Sequence, residues 1–556
     1  MNKVLRFLAL TLTVVMLFGM TAALAEAVPA ATYDQYGLDE NLKFKETKTI
    51  TVEVYDRSVD DGPAPDNSVY TDFIKQGMLD KHNVAVEFVR VPRWTEPQDI
   101  ANLLAAGSAP DICLTYQYNV VQTYGQMGGV LDLSEYLVDL QSWLPNLYDL
   151  LQEDLIFWDK DVEDGHVWAV EARRVDTWQQ NTFVREDWLK KLGLEIPTTF
   201  QEFEDTLLAF KDNAELLLGA DADKMIPFEF TYDASFRWQP ILDSLTPDAF
   251  SDRDLYISSI DDRKFGWPAA KETARILNKW YNLGLCWNDF AMYDASTLGT
   301  LEDDMLKAGY IGSFIHNSDY PYRNGADSIH NALKRLIGDD AAFVSINPFP
   351  NDSGKVVRWA PAIASDRKVF FPSTNDEPIA SLLYLDWIST LENRMFLQIG
   401  EEGVTHEVMP DGAIKVIGIS GDKKMNSVSN IDYTITINGL DFGDPELKVK
   451  SQALNYDNTD PSYVNQFIHD YLDFARPAKA LLTGVTIEAA EGIMQELANK
   501  RDAILGQAIT ASVDQFDAIW DAGVADYMRS GGQAIKDERA EKWLKYYGDV
   551  DTMPED

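Results

Sequence analysis

Between residues 47 and 116 the hydrophobic pattern changes period four times, and that order limits the fold more than any other feature of the chain. Ile50, Val52 and Val54 alternate with polar residues over 47–55, the pattern of a half-buried strand. A Gly/Pro/Asp-rich loop follows at 56–68, then a helix over 69–81 and a strand over 84–91. Ile100, Leu103 and Leu104 mark an amphipathic helix, which Gly107 can end because glycine tolerates a left-handed cap. A third strand is expected over 111–116. Strand, helix, strand, helix, strand is the signature of an α/β protein with parallel strands joined by helical crossovers. In such sheets ligands bind at the carboxyl ends of the strands. Those ends supply the first candidate ligand-binding residues: Arg57, Asp60, Trp94, Tyr116 and Tyr118.

A chain of 556 residues exceeds one ordinary core, so two to three domains are expected. Asp164-Gly165 is a hairpin turn signal between apolar runs at 156–158 and 167–170. Asp159, Asp161 and Glu163 precede it, but the glycine position and the missing terminal glutamate do not fit a calcium loop, and no metal is expected. Thr199 with Glu202, and Thr374 with Glu377, have capping-box spacing. The second box should open a helix with Ile379, Leu382, Leu383 and Trp387 on one face. Another amphipathic helix is expected over 271–283, and the stretch 462–547 reads as mainly helical. Residues 403–457 look rich in strands and loops.

The first residues read as an export signal. Lys3 and Arg6 precede an apolar run over 7–20, and Ala23-Leu24-Ala25 offers a cleavage site, so residues 1–25 are assigned as signal peptide and 26–45 as a polar lead-in. The apolar run is too short for a membrane span. A lipoprotein needs cysteine directly after the signal, and the first cysteine is Cys113, so attachment to the envelope is expected only through a partner. With 90 acidic against 48 basic residues, the chain would repel nucleic acid and anionic lipid, and neither is expected as a partner. No GxSxG elbow, phosphate-binding glycine loop or HExxH motif occurs, so neither an enzyme nor a cofactor is expected.

Five segments, in order, resemble the extracellular solute-binding proteins of ABC sugar importers, of the maltodextrin-binding type and its LipO-like subgroup. They are LLAAGSAPDI at 103–112, GVLDLSEYL at 129–137, DGHVWAV at 164–170, REDWLKKLGL at 185–194 with PTTF at 197–200, and LDW at 385–387 with GEEG at 400–403. Glu171 stands where the family usually has proline. The resemblance implies a two-lobed, type II periplasmic-binding-protein fold with a ligand cleft between the lobes. It places 46–165 and 365–405 in an N-terminal lobe, and 166–364 and 406–556 in a C-terminal one with a helical end. It further implies a monomer that captures an oligosaccharide and delivers it to ABC transporter permease subunits. Cys113 and Cys286 then fall in different lobes, so two buried thiols are expected rather than a disulfide.

A cleft for sugars needs aromatic platforms and fixed polar partners. The resemblance adds Tyr232 and Trp238 as stacking platforms and Glu171 as a sugar-binding carboxylate. Trp178, in the segment after the hairpin, and His316, after an apolar strand at 310–315, complete the candidates. Trp188, Trp280 and Trp387 fall on amphipathic helices and are expected in the core. Two other classes remain open: a binder of another solute such as a peptide, and a secreted carbohydrate-active enzyme.

Overall fold

A computed structural model describes residues 33–552, apart from 59–61, 177–178, 231–233, 248, 293–294, 362–364, 418–423, 428–429, 457–458 and 479–484. The signal segment lies outside the described residues. The chain divides into two compact units, the first comprising Met1–Ala172, Arg367–Leu397 and Ser420–Thr436. The second comprises Arg173–Asp366, Gln398–Ile419 and Ile437–Asp556. The return of 420–436 to the first unit is absent from the boundaries expected from sequence.

Fourteen strands lie among the described residues. They begin with β1 (Lys48–Asp56), β2 (Val84–Pro92), β3 (Cys113–Thr115), β4 (Val170–Arg174) and β5 (Gln180–Arg185). β6 (Ile226–Glu229), β7 (Ile311–Asn317), β8 (Phe343–Ile346), β9 (Arg358–Pro361) and β10 (Ser365–Phe370) follow. The last are β11 (His406–Val408), β12 (Ile414–Val416), β13 (Ile437–Asn438) and β14 (Ala475–Ala478).

In the first unit β1 and β2 pair in parallel, from Lys48 opposite Val84 to Asp56 opposite Pro92. A parallel bridge between Val52 and Ile112 carries the sheet on towards β3. The expected period-two strand is only half right, because from Val52 to Tyr55 both faces of β1 are buried. Such continuous burial is what helices on both sides of a parallel sheet produce. The connecting helices form where the periodicity puts them, at Val69–His82 and Glu96–Ala106. Ser68 and Thr71 form a reciprocal capping box on the first helix. Gly107 ends the second in the left-handed region, φ 63°. Val91, Ile100, Cys113, Val121, Trp168 and Phe370 fill the space between helix and sheet.

The expectation of a parallel sheet needs correction. β3 pairs antiparallel with β10, Cys113 opposite Phe370, so the first unit's sheet is mixed rather than purely parallel. In the second unit β6 and β7 are parallel, but β5 runs antiparallel to both β7 and β8. The core of that unit is aromatic, with Trp280 5.6 Å from Phe203 and 5.2 Å from Phe228. The C-terminal helices Met494–Thr510 and Phe516–Tyr527 pack onto the same core through Leu505, Ile509 and Trp520. Trp188 and Trp280 are core residues, as expected.

Capping is only partly as the sequence suggests. Thr199 accepts from the Glu202 N–H, but the Glu202 carboxylate reaches back to Thr198 instead of Thr199. Thr374 caps nothing in the expected helix. That helix starts at Pro378, whose missing N–H suits the first turn, and Asn375 accepts from the Glu377 N–H. Asp164-Gly165 does turn the chain, but a single bridge, Lys160 to Val167, replaces a full hairpin. Cys113 and Cys286 are buried free thiols in separate units. No helix among the described residues is long and apolar enough to cross a membrane.

Candidate functional site

The parallel register ends β1 and β2 level with each other, and the Arg93 N–H donates to the Asp56 carbonyl at 2.9 Å. This fixes two consecutive side chains beyond β2. Trp94 is left 77% exposed, a large apolar ring standing in water. The Arg93 guanidinium lies 5.5 Å from the Trp94 ring, 5.1 Å from Tyr55 and 4.5 Å from Tyr116. Tyr55 is fully buried beneath it. Arg57 extends from the end of β1 and donates through Nε and Nη2 to the two oxygens of Asp432, at 2.7 and 2.8 Å. Asn426 donates to the same carboxylate at 2.8 Å and to the Tyr55 carbonyl. Of the sequence candidates, the structure therefore brings Arg57, Trp94 and Tyr116 together at one end of the sheet.

The acids around this site are buried. Glu53 accepts from the Leu114 N–H at 2.8 Å, and burial pushes its carboxyl well above the usual range. Burial also raises Glu96, against the opposing pull of Thr115 and Arg93. The arrangement can present an apolar indole face to the C–H face of a ring. It can also donate hydrogen bonds from arginine and tyrosine to hydroxyls or an anion.

Tyr118 and Glu171 belong to a different, closed cluster. The Tyr118 hydroxyl donates to the Asp159 carbonyl at 2.7 Å. Glu171 is fully buried and pairs with Lys368 at 2.9 Å, so its carboxylate is turned into the protein and cannot serve as the sugar ligand expected from sequence. Asp159 lies against it. Burial, and then the Glu171 charge, push Asp159 well up, while Lys368 pulls it down. Asp159 and Glu171 thus form a buried carboxyl pair with one lysine beside it.

In the second unit the ends of β6 and β7 are sealed. Glu229, at the end of β6, is 0% exposed, and burial followed by the neighbouring Glu302 holds its carboxyl well above the usual range. Arg237 donates to Glu302 at 2.9 Å and to the Ile315 carbonyl at 2.7 Å. His316 is 8% exposed and stacks on Tyr320 with centroids 3.3 Å apart. The Asn317 N–H donates to its Nδ1 at 2.7 Å, and burial, then Arg237 and Arg323, hold it well below the usual histidine range. His316 is thus a neutral, packed ring.

Trp238 is a further correction. The segment around it is helical at Ala234–Arg237 and Gln239–Leu245. Trp238 between them is 1% exposed, packed in the core, with its indole N–H on the Arg263 carbonyl. A ring covered on both faces has none left for a sugar. Asp60, Trp178 and Tyr232 lie outside the described residues. Sequence reasoning left out Arg93 and Asp432. Arg93 stood beside Trp94 at the same strand end, so its signal was visible. Asp432 is 375 residues from Arg57, and no local pattern links them.

No family model matches this sequence, and no curated protein matches it. Solved structures do share its fold. One is an HMO-binding, ABC-transporter-associated solute-binding protein from Bifidobacterium longum infantis, with TM-score 0.60 and 18% identity over 90% of this chain and 99% of that one. An alginate-binding protein gives TM-score 0.58 and 16% identity over 90% of this chain and 99% of that one. An ABC-transporter substrate-binding protein of S. pneumoniae in complex with kestose gives 0.59 and 13%, over 90% of this chain and all of that one. The fold is the type II periplasmic-binding-protein fold, which nearly the whole chain takes part in.

Proposed function

From the fold shared with extracellular sugar-binding proteins, we propose that this chain is the substrate-binding component of an ABC importer. It captures an oligosaccharide and delivers it to a membrane permease without cleaving it. The observation that carries the reading is Trp94, an indole 77% exposed beside Arg93 and Tyr116 at the carboxyl end of a parallel sheet. Arg57, Trp94 and Tyr116 are the ligand-binding residues in this reading, and Asp60, Trp178 and Tyr232 remain candidates from the sequence. The structural relatives support it, since their names include an alginate binder and a complex with kestose. The acids at the site support binding over cleavage: Asp432 is engaged by Arg57 and Asn426, and Glu53 by the Leu114 N–H. The protein is exported and acts as a monomer, and any attachment to the cell envelope is through its transporter.

A thermal-shift screen against a glycan panel tests this. A ligand at ~100 times its dissociation constant stabilises the folded state by about 2.7 kcal/mol, an easily read shift. The expected result is a shift with an oligosaccharide that is recovered intact. Recovery of shortened products would make the chain an enzyme, and shifts with peptides alone would make it a peptide binder.

A further inference from the structure

The charges at the end of the first unit's sheet are unequally satisfied. Arg57 is held by both oxygens of Asp432, a neutral and geometrically complete pair. Arg93 is half-buried, and among the described residues no carboxylate lies within ion-pair distance of it; its neighbours are the faces of Tyr55, Trp94 and Tyr116. Its Nε is buried with no acceptor. Aromatic faces stabilise a cation but leave the guanidinium's planar fork of N–H donors unused. Glu96 is within electrostatic reach of Arg93, but burial disfavours its charged form. The Asp56 carboxylate is turned to the Ser58 N–H at 2.8 Å.

We infer that Arg93 is a docking point for an anionic group on the sugar, so that the ligand is an acidic saccharide carrying a carboxylate or a sulfate. This rests on the saccharide reading above and narrows its substrate class. The guanidinium fork matches a carboxylate or sulfate with two parallel hydrogen bonds, and it sits beside the Trp94 ring on which the pyranose stacks. The net charge of −42 does not oppose this. At physiological salt, exposed charges more than about 8 Å away are largely screened, so the local guanidinium decides.

The test is affinity for oligogalacturonate, a sulfated oligosaccharide and the matching neutral oligosaccharide, in wild type, Arg93→Gln and Arg93→Lys. One acidic probe should bind best, and Arg93→Gln should weaken it about tenfold or more, the scale of a lost charged hydrogen bond. The variant should weaken the neutral probe much less than the acidic one, and Arg93→Lys should recover part of the loss. Raising salt to about 0.5 M should weaken the acidic probe in wild type but much less in Arg93→Gln. The two acidic probes separate carboxylate from sulfate. Equal wild-type affinity for acidic and neutral probes overturns the inference while leaving the saccharide reading intact. So does an Arg93→Gln variant that loses both equally, because Arg93 would then only position Trp94. No shift with any glycan overturns the saccharide reading itself, and the inference with it.

Discussion

At the end of β2 an indole stands 77% exposed beside a guanidinium with no carboxylate partner among the described residues; at the end of β6 a carboxyl, Glu229, is 0% exposed against Glu302 and a buried arginine. Both ends carry aromatic rings and charges, and the sequence offered a candidate near each, Trp94 at one and His316 at the other. They differ in where those groups are satisfied. In the second unit the two terminal nitrogens of Arg237 have acceptors inside the protein and His316 has a ring on its face, so these residues hold the fold. In the first unit Trp94 is left uncovered, forgoing on the order of 3 kcal/mol that burial of such a ring would contribute. A group whose interactions are complete within the fold reports on stability. One left incomplete in a fold built to bind reports on a ligand.

The largest expected effect is at Trp238. Trp238→Ala should lower stability by about 3–5 kcal/mol through the cavity it leaves, seen as a drop in denaturation midpoint, while affinity of the folded fraction is retained. Retained stability with lost affinity would return Trp238 to the binding site. Next is Glu302→Ala, which removes the carboxylate hydrogen-bonded to the buried Arg237 and should cost about 3 kcal/mol in urea unfolding. Near-zero cost would mean the second unit's end is open.

Glu229→Gln has a smaller effect, and its sign depends on pH. Because burial raises the folded value, Glu229 contributes stability that is present below its unfolded value, about 4.3, and lost as pH rises through the folded one. The glutamine variant should therefore gain roughly 1 kcal/mol on wild type at pH 8 and little at pH 4. A variant no more stable than wild type at pH 8 would show that Glu229 ionises without penalty. The smallest stability effect is Trp94→Ala, within about 0.5 kcal/mol of wild type, as for an exposed side chain.

Much of the first unit was legible because local pattern decides it. The alternation of Ile50, Val52 and Val54 placed β1, Gly107 placed a helix end, and the strand ends pointed to Arg57, Trp94 and Tyr116. What was hidden depends on distant partners. Asp432 reaches Arg57 only because 420–436 returns to the first unit, and Glu171 is sealed by Lys368, 197 residues along the chain. Trp238 was named from the resemblance alone, and two short helices fold that ring inward.

The most direct test of the central claim is calorimetric titration of Trp94→Ala with the oligosaccharide that stabilises wild type, beside Trp238→Phe as the core control. A loss of about tenfold or more is expected for Trp94→Ala, the scale of a lost stacking contact, with an unchanged denaturation midpoint. Trp238→Phe should keep its affinity. Unchanged affinity in Trp94→Ala would contradict the claim that the first unit's open sheet end holds the ligand.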